Sequence, residues 1–320
     1  YFNMYNTKEA EIWYAEAVKS KQDAETYYRY AQMLKSNGKY KESNDQMKVF
    51  AAMSSKDERV IEFNKNPDYL PKLIDKEKLF DINELNINSD KSDFGAVRYD
   101  DVVYFASARN QANKNYGWND EPYLDIYQTV INADGTYSQP SPITELNSKF
   151  HEGPLTMSKD RSTVYFSSES FNEKLYEKDK SKRLKYGQVG LYKAVKVNGK
   201  WAEITPLPFN SKSYSTSNPS LSKDDNTLYF SSNMPGSVGG YDIWKVNINS
   251  NGTCGKPENL GNKINTPGDE GFPFVTDDGV LYFASNGLTG FGGLDVFSAV
   301  LNTNSTRINL GKRVNSEKDD

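Results

Sequence analysis

Hydrophobic positions follow two rhythms along this chain. From Thr7 to about Phe63, apolar and small residues recur at helical spacing in a stretch rich in Ala, Lys, Glu, Met and Gln, with no proline and one glycine, Gly38. Tyr27, Tyr30, Ala31, Leu34, Tyr40, Met47 and Phe50 set large side chains at helix periodicity, with a small one where two helices must touch and Gly38 at the turn between them. Ala10, Tyr14 and Ala17 read as a preceding helix, and Asp57 to Phe63 as the start of a closing one. Pro67 and Pro71 end this pattern. From Glu77 onward the apolar residues alternate in short runs separated by Gly, Asn, Asp, Ser and Pro, the mark of strands and turns. Two domains are expected, helical with a connector over 1–76 and all-β over 77–320.

The β part repeats itself. A Tyr-Phe pair followed by small residues recurs at Tyr104-Phe105, Tyr165-Phe166, Tyr229-Phe230 and Tyr282-Phe283. A short strand and a polar turn precede each pair ("AVRYDD", "PLTMSKDRS", "PSLSKDDN", "PFVTDDG"), and a third strand follows it ("LDIYQT", "VGLYKA", "YDIWKV", "LDVFSA"). A further turn leads to a fourth strand ending near Asn147, Asn210 and Asn265. Repeats of this size with four strands each are the sign of a β-propeller, whose blades bury their faces against one another. Asn88-Ser89 and Asn315-Ser316 extend the boundary series, so four complete blades are expected between orphan pieces. "LFDINELNINS" reads as an outer strand without its blade and "NSEKDD" as the opening of another, which predicts a polypeptide continuing past Asp320 and a native ring of six blades.

Two glycine-rich segments, "SSNMPGSVGGYDIW" and "ASNGLTGFGGLDVF", could cradle a phosphate or be one corner of the repeat. Neither leads into a helix that could present its N-terminus to an anion, so they read as scaffold loops. Gly239-Gly240 and Gly292-Gly293 then permit close backbone approach or positive φ, and Asp242 and Asp295 cap the turns. Asp125 fits this series and Gly190 breaks it.

A net charge of −4 gives no general basic surface for nucleic acid, and no apolar run is long enough to span a bilayer. One cysteine, Cys254, and one histidine, His151, leave no multi-cysteine metal site and no nucleophile–base pairing. His151 reads as structural or solvent-facing, Cys254 as a small, partly buried hydrophobe. The paired acids Asp224-Asp225 and Asp277-Asp278 sit where tight turns need them. No catalytic residue, metal, cofactor or small-molecule substrate is expected, and the chain reads as not an enzyme.

The helical spacing resembles a tetratricopeptide repeat, although Ser43 stands where alanine is usual; an ordinary helical hairpin is the alternative. "DEGFPFVTDDGVLYFASNGLTGFGGLDVF" with "INLGKRVNS" resembles the TolB-like, WD-type propeller of OmpA-family proteins from Bacteroidetes, in which a tetratricopeptide segment precedes the propeller. The resemblance covers 77–320. It implies a periplasmic protein associated with the outer membrane, similar to envelope components of type IX secretion and gliding. It also implies a scaffold that docks an outer-membrane barrel or secretion component, held to peptidoglycan by an OmpA-like domain not in this sequence. A glycan- or peptidoglycan-fragment-binding propeller is the alternative, and a propeller hydrolase or lyase a further one.

Topology points to a docking face. In a four-stranded meander the second-to-third-strand loops and the links between blades share one face. Two of those loops are long: "NQANKNYGWNDEPY" supplies Tyr116, Trp118 and Tyr123, and "FNEKLYEKDKSKRLKY" supplies Phe171, Tyr176, Arg183 and Tyr186. Aromatic residues with arginine are typical interface anchors; the other reading is a pair of solvated loops. Tyr27, Leu34 and Tyr40 of the helices are the second candidate partner surface.

Overall fold

Short polar side chains start three of the helices. Asn6 accepts the Glu9 N–H ahead of α1 (Thr7–Ala17), Asp23 that of Thr26 ahead of α2 (Ala24–Ser36), and Asp57 that of Arg59 ahead of α4 (Glu58–Lys65). The structure is a computed structural model that describes residues 1–2, 6–77, 79–112, 114–117, 119–181, 184–303 and 306–320. α2 turns into α3 (Tyr40–Met53) through Gly38 at φ +74°, a left-handed conformation that glycine adopts without strain. Tyr28, Ala31, Met47, Phe50, Val60 and Phe63 form the helical core. Ser43, at the position where an alanine was expected, donates its hydroxyl to Ala31 O at 2.7 Å, so the buried contact between helices keeps its polar atom satisfied. The helical region runs further than its proline content suggested. Pro71 lies in the first turn of α5 (Tyr69–Ile74), where a missing N–H removes no helical bond.

Four antiparallel sheets follow, each a blade. Blade one comprises β1 (Asp93–Tyr99), β2 (Val102–Ser107), β3 (Asp125–Val130) and β4 (Ser141–Pro142). Blade two comprises β5 (Glu152–Met157), β6 (Thr163–Glu169), β9 (Val189–Val197) and β10 (Lys200–Pro206), with an inserted hairpin, β7 (Tyr176–Asp179) and β8 (Leu184–Gly187). Blade three is β11 (Thr216–Leu221), β12 (Thr227–Ser232), β13 (Asp242–Asn247) and β14 (Glu258–Asn259); blade four is β15 (Glu270–Val275), β16 (Val280–Ser285), β17 (Asp295–Val300) and β18 (Ile308–Asn309). The expected fourth strands are therefore present, but two residues long in three blades.

Hydrophobic cores lie between blades. Ile126 and Leu146 of blade one meet Leu155, Phe166 and Trp201 of blade two. Tyr165 and Leu191 of blade two meet Phe230 and Trp244 of blade three, and Ile243 and Ile264 of blade three meet Leu281 and Phe283 of blade four. The four repeated phenylalanines, Phe105, Phe166, Phe230 and Phe283, are all buried. Hydroxyls from one inner strand also satisfy the next: Tyr99 Oη accepts the Met157 N–H, Thr156 Oγ1 that of Leu221, and Ser220 Oγ that of Val275. Among the described residues no such core joins blade four to blade one. There, Phe94 and Phe272 touch edge to face with ring centroids 6.0 Å apart.

Each blade ends in the same asparagine corner. Asn147, Asn210, Asn265 and Asn315 accept an N–H from the third strand beside them, at Ile126, Leu191, Ile243 and Val296. At three of these corners a carboxylate four residues after the following Ser or Thr closes the turn, Glu152 for Ser148, Glu270 for Thr266 and Asp320 for Ser316, whereas Ser215 stands at that position after Ser211. Burial pushes Glu152 and Glu270 up to about 7, against the hydrogen bonds they accept.

One expectation is corrected here. Leu79–Leu85 forms no outer strand: Phe80 lies edge-on to Tyr282 of β16, the second strand of blade four, and Leu79 and Ile82 are exposed. The four complete blades expected within this sequence are present among the described residues. No helix among the described residues is long and apolar enough to cross a membrane.

Candidate functional site

The glycine-rich loops are answered first by geometry. Asp242 accepts the N–H groups of Val238 and Gly239, and Asp295 those of Phe291 and Gly292. A Cβ on Gly239 would collide with the carbonyl oxygens of Thr266 and Gly268, and one on Gly292 with those of Ser316 and Lys318. Close approach to the blade corner, not a phosphate, is what these glycines permit. The second loop also seats the helices: Tyr28 Oη donates to Asn286 O at 3.3 Å and Tyr69 Oη to Gly290 O at 2.9 Å, while Lys76 Nζ reaches Asn309 O. The buried Lys35 ammonium, held below its usual range by burial, lies in the field of Asp295 and Asp319.

On the same face, over blades one and two, the two long insertions meet. The first folds back on itself, with the Tyr116 N–H donating to Glu121 O and the Tyr123 N–H to Lys114 O. The second is ordered as the β7–β8 hairpin, in which Tyr176 pairs with Gly187 and Glu177 with Tyr186. Between them the link from blade one to blade two supplies Phe150 and His151. The rings form one continuous chain. Tyr116 and Tyr123 lie 4.7 and 4.5 Å from the His151 ring and 5.6 Å from each other. Tyr123 then touches Phe150 at 6.4 Å, Phe150 stacks on Phe171 at 5.2 Å, and Phe171 packs on Tyr176 at 5.7 Å. Lys185 and Lys178 lie over the Tyr176 ring at 4.7 and 5.7 Å.

His151 is held by this cluster. Its Nδ1 accepts the Leu124 N–H at 2.9 Å, so the neutral ring carries its proton on Nε2, which is buried without a partner among the described residues. Burial lowers its pKa to about 4, so it is uncharged at neutral pH. Glu169 sits across the strand pair from it, its N–H donating to His151 O, and its Oε2 is likewise buried and unpartnered. Burial pushes Glu169 up to about 7, and its charge adds to burial in raising Tyr116 and Tyr123.

The structure thus brings together Tyr116, Tyr123, Phe171 and Tyr176 of the residues singled out in the sequence. Tyr186 is on the same hairpin and 45% exposed. Trp118 and Arg183 lie outside the described residues. Of the helical candidates, Leu34 is buried, Tyr27 packs beside the helical core, and Tyr40 lies in the field of Asp295 and Glu317. Phe150 and His151 were missed as members of the face. The signal was present, since two rings stand side by side at this blade corner, where the sister corners carry one, Tyr214, or none.

No protein-family model matches the chain, and no curated protein matches it. Solved structures do resemble it. TolB from Acinetobacter baumannii matches at 14% identity and TM-score 0.34, over 57% of this chain and 37% of that one. A puromycin-hydrolyzing peptidase of Mycobacterium tuberculosis matches at 12% and 0.38, over 67% and 38%. A thermostable family-43 glycoside hydrolase matches at 11% and 0.40, over 69% and 74%. The chain thus spans well under half of the first two. Likeness at this level carries no inference about what this chain binds or does. The reading of the chain as not an enzyme is nevertheless corrected, because hydrolases stand among these structures. The physical reason is that glycoside hydrolysis needs only two carboxylates, so scarce histidine and cysteine exclude less than they were taken to.

Proposed function

We propose that this chain is a docking scaffold whose loop face, over blades one and two, binds an acidic surface of a partner protein. The observation that carries the reading is the continuous chain of rings from Tyr116 to Tyr176, joined across two insertions and a blade link. Aromatic side chains supply large contact area at low entropic cost and are the usual anchors of interfaces. Charge supports the partner's sign. Between Phe171 and Gly187 the sequence carries six Lys and Arg against three Asp and Glu, in a chain of net charge −4. The sequence resemblance supports the setting: the periplasm, at the outer membrane, beside secretion or gliding components, with a tetratricopeptide-like helical unit. The seam between blades four and one, where the described residues form no core, supports a native ring of more blades than four.

The test is a photo-crosslinking amino acid placed at Tyr186, and in a second protein at Asn226 on the opposite face, each expressed in the native envelope. The reading expects one dominant partner crosslinked from position 186 only. It also expects capture to fall about tenfold in a Tyr123→Ala, Tyr176→Ala variant with unchanged melting temperature, and to weaken with salt. Crosslinks confined to position 226, or capture indifferent to the double substitution, would remove it.

A further inference from the structure

A cavity of about 550 Å³ lies on the propeller axis between the four inner strands, on the side away from the docking face. Its volume is that of a small-molecule site. Three observations set it apart from a mere gap.

The first is its wall. Strand register places Phe274 opposite Tyr282, as Thr156 lies opposite Tyr165 and Ser220 opposite Tyr229. Where blades two and three carry a hydroxyl that bonds the next blade and blade one carries Val97, blade four therefore carries an aromatic residue, and that residue is 50% exposed. The second is strain. Phe272 lies at φ +52°, at the position held by Gly95 and Asn218, both also at positive φ. Glycine and asparagine adopt this conformation cheaply, whereas a phenylalanine there costs on the order of 1 kcal/mol, and such outliers gather at functional sites. Its ring is 41% exposed.

The third is charge. Arg98, Lys159, Arg161 and Lys223 line the cavity with Asp225 and Asp277. Both acids are engaged, Asp277 by Lys223 at 3.1 Å and Asp225 by the Lys159 N–H at 2.9 Å. Among the described residues, Arg161 stacks over Tyr99 at 4.4 Å and its guanidinium makes only long contacts, 3.3 Å to Asp100 Oδ2 and 3.4 Å to Lys159 O, while its Nε is buried without a partner. Arg98 reaches Asp100 O and, at 3.8 Å, Asp101.

We propose that this cavity binds an organic anion with a flat apolar body, the body against Phe272 and Phe274 and the carboxylate at Arg161 and Lys159. The carboxylate takes the place of Asp100 on Arg161, giving the guanidinium the close acceptor it lacks.

The probe is 2-naphthoate, titrated calorimetrically against the full chain, with neutral 2-naphthamide as its comparison. Naphthoate is expected to bind at least about tenfold more tightly than the amide, since a charge-assisted bond is worth that much. Arg161→Gln should abolish this preference while leaving amide binding unchanged. Phe274→Ser, which installs the residue blade three already uses, should weaken both ligands about tenfold without altering the melting temperature. If Arg161→Gln fails to fold, Lys159→Gln serves in its place and is expected to narrow the preference. No naphthoate binding at concentrations on the order of 10 mM, equal binding of the two probes, or affinities indifferent to both substitutions would overturn the proposal.

Discussion

The seams between blades one and two, two and three, and three and four differ in kind from the seam between blades four and one. The first three each have a buried core and a hydroxyl that satisfies the neighbour's N–H. At the fourth, Phe274 stands where blades two and three have the hydroxyl, and Phe94 meets Phe272 edge to face across the gap. The difference teaches that repetition in sequence does not imply equal packing. Blades of near-identical pattern hold together through a few positions, and changing two of them turns an internal interface into an exposed aromatic wall.

The largest test of this comparison is a pair of truncations. Phe230→Ala, in a fully buried seam, should cost about 3–5 kcal/mol in urea denaturation. Phe274→Ala, at the fourth seam, should cost less than about 1 kcal/mol. Equal costs would erase the distinction.

Next comes pH, which separates blade corners. Glu152 and Glu270 are pushed up to about 7, above the value near 4.3 of an unfolded chain, so between these values the native state binds more protons than the unfolded one. Their contribution is present below about pH 4.3 and is lost as pH rises through 7. At the blade-one corner burial also acts on Asp93, but hydrogen bonds from Ser107, Ser89 and Arg109 outweigh it and hold the group low, so its contribution is lost instead as pH falls. The melting temperature should therefore decline from pH 5 to 8, and Glu152→Gln with Glu270→Gln should flatten that decline. A decline unchanged in the double variant would show that the corner acids do not cause it.

Strand periodicity made the blades legible: the Tyr-Phe pairs alternate cleanly, and all four phenylalanines are buried. Turn chemistry made the Asp242 and Asp295 caps legible. The hydroxyl rungs were not, because the first uses Tyr99 and the others Thr156 and Ser220, which occupy a different register position. Leu79–Leu85 alternates like a strand yet finds no partner edge, since pairing depends on what lies beside it. On the docking face the anchors were visible as residues, but their meeting over Phe150 and His151 was not, because ring contacts between distant insertions leave no local pattern. The charged second insertion had a solvated loop as its other reading, and it is the β7–β8 hairpin that orders it.

A smaller effect is expected at a single rung. Ser220→Ala leaves the Val275 N–H without its acceptor and should cost about 1–3 kcal/mol. The same loss cannot be produced at the fourth seam, so Phe274→Ser should leave stability within about 1 kcal/mol of the parent.

Hydrogen exchange of four backbone amides tests the asymmetry of the seams most directly. Met157, Leu221, Val275 and Arg98 share one register position, opposite Val164, Leu228, Leu281 and Val103. The account predicts that the first three, each bonded to a neighbouring hydroxyl, exchange only on global unfolding, while Arg98 exchanges by local opening, orders of magnitude faster. Protection of Arg98 equal to that of Leu221 and Val275 would contradict it, showing the fourth seam to be closed like the others.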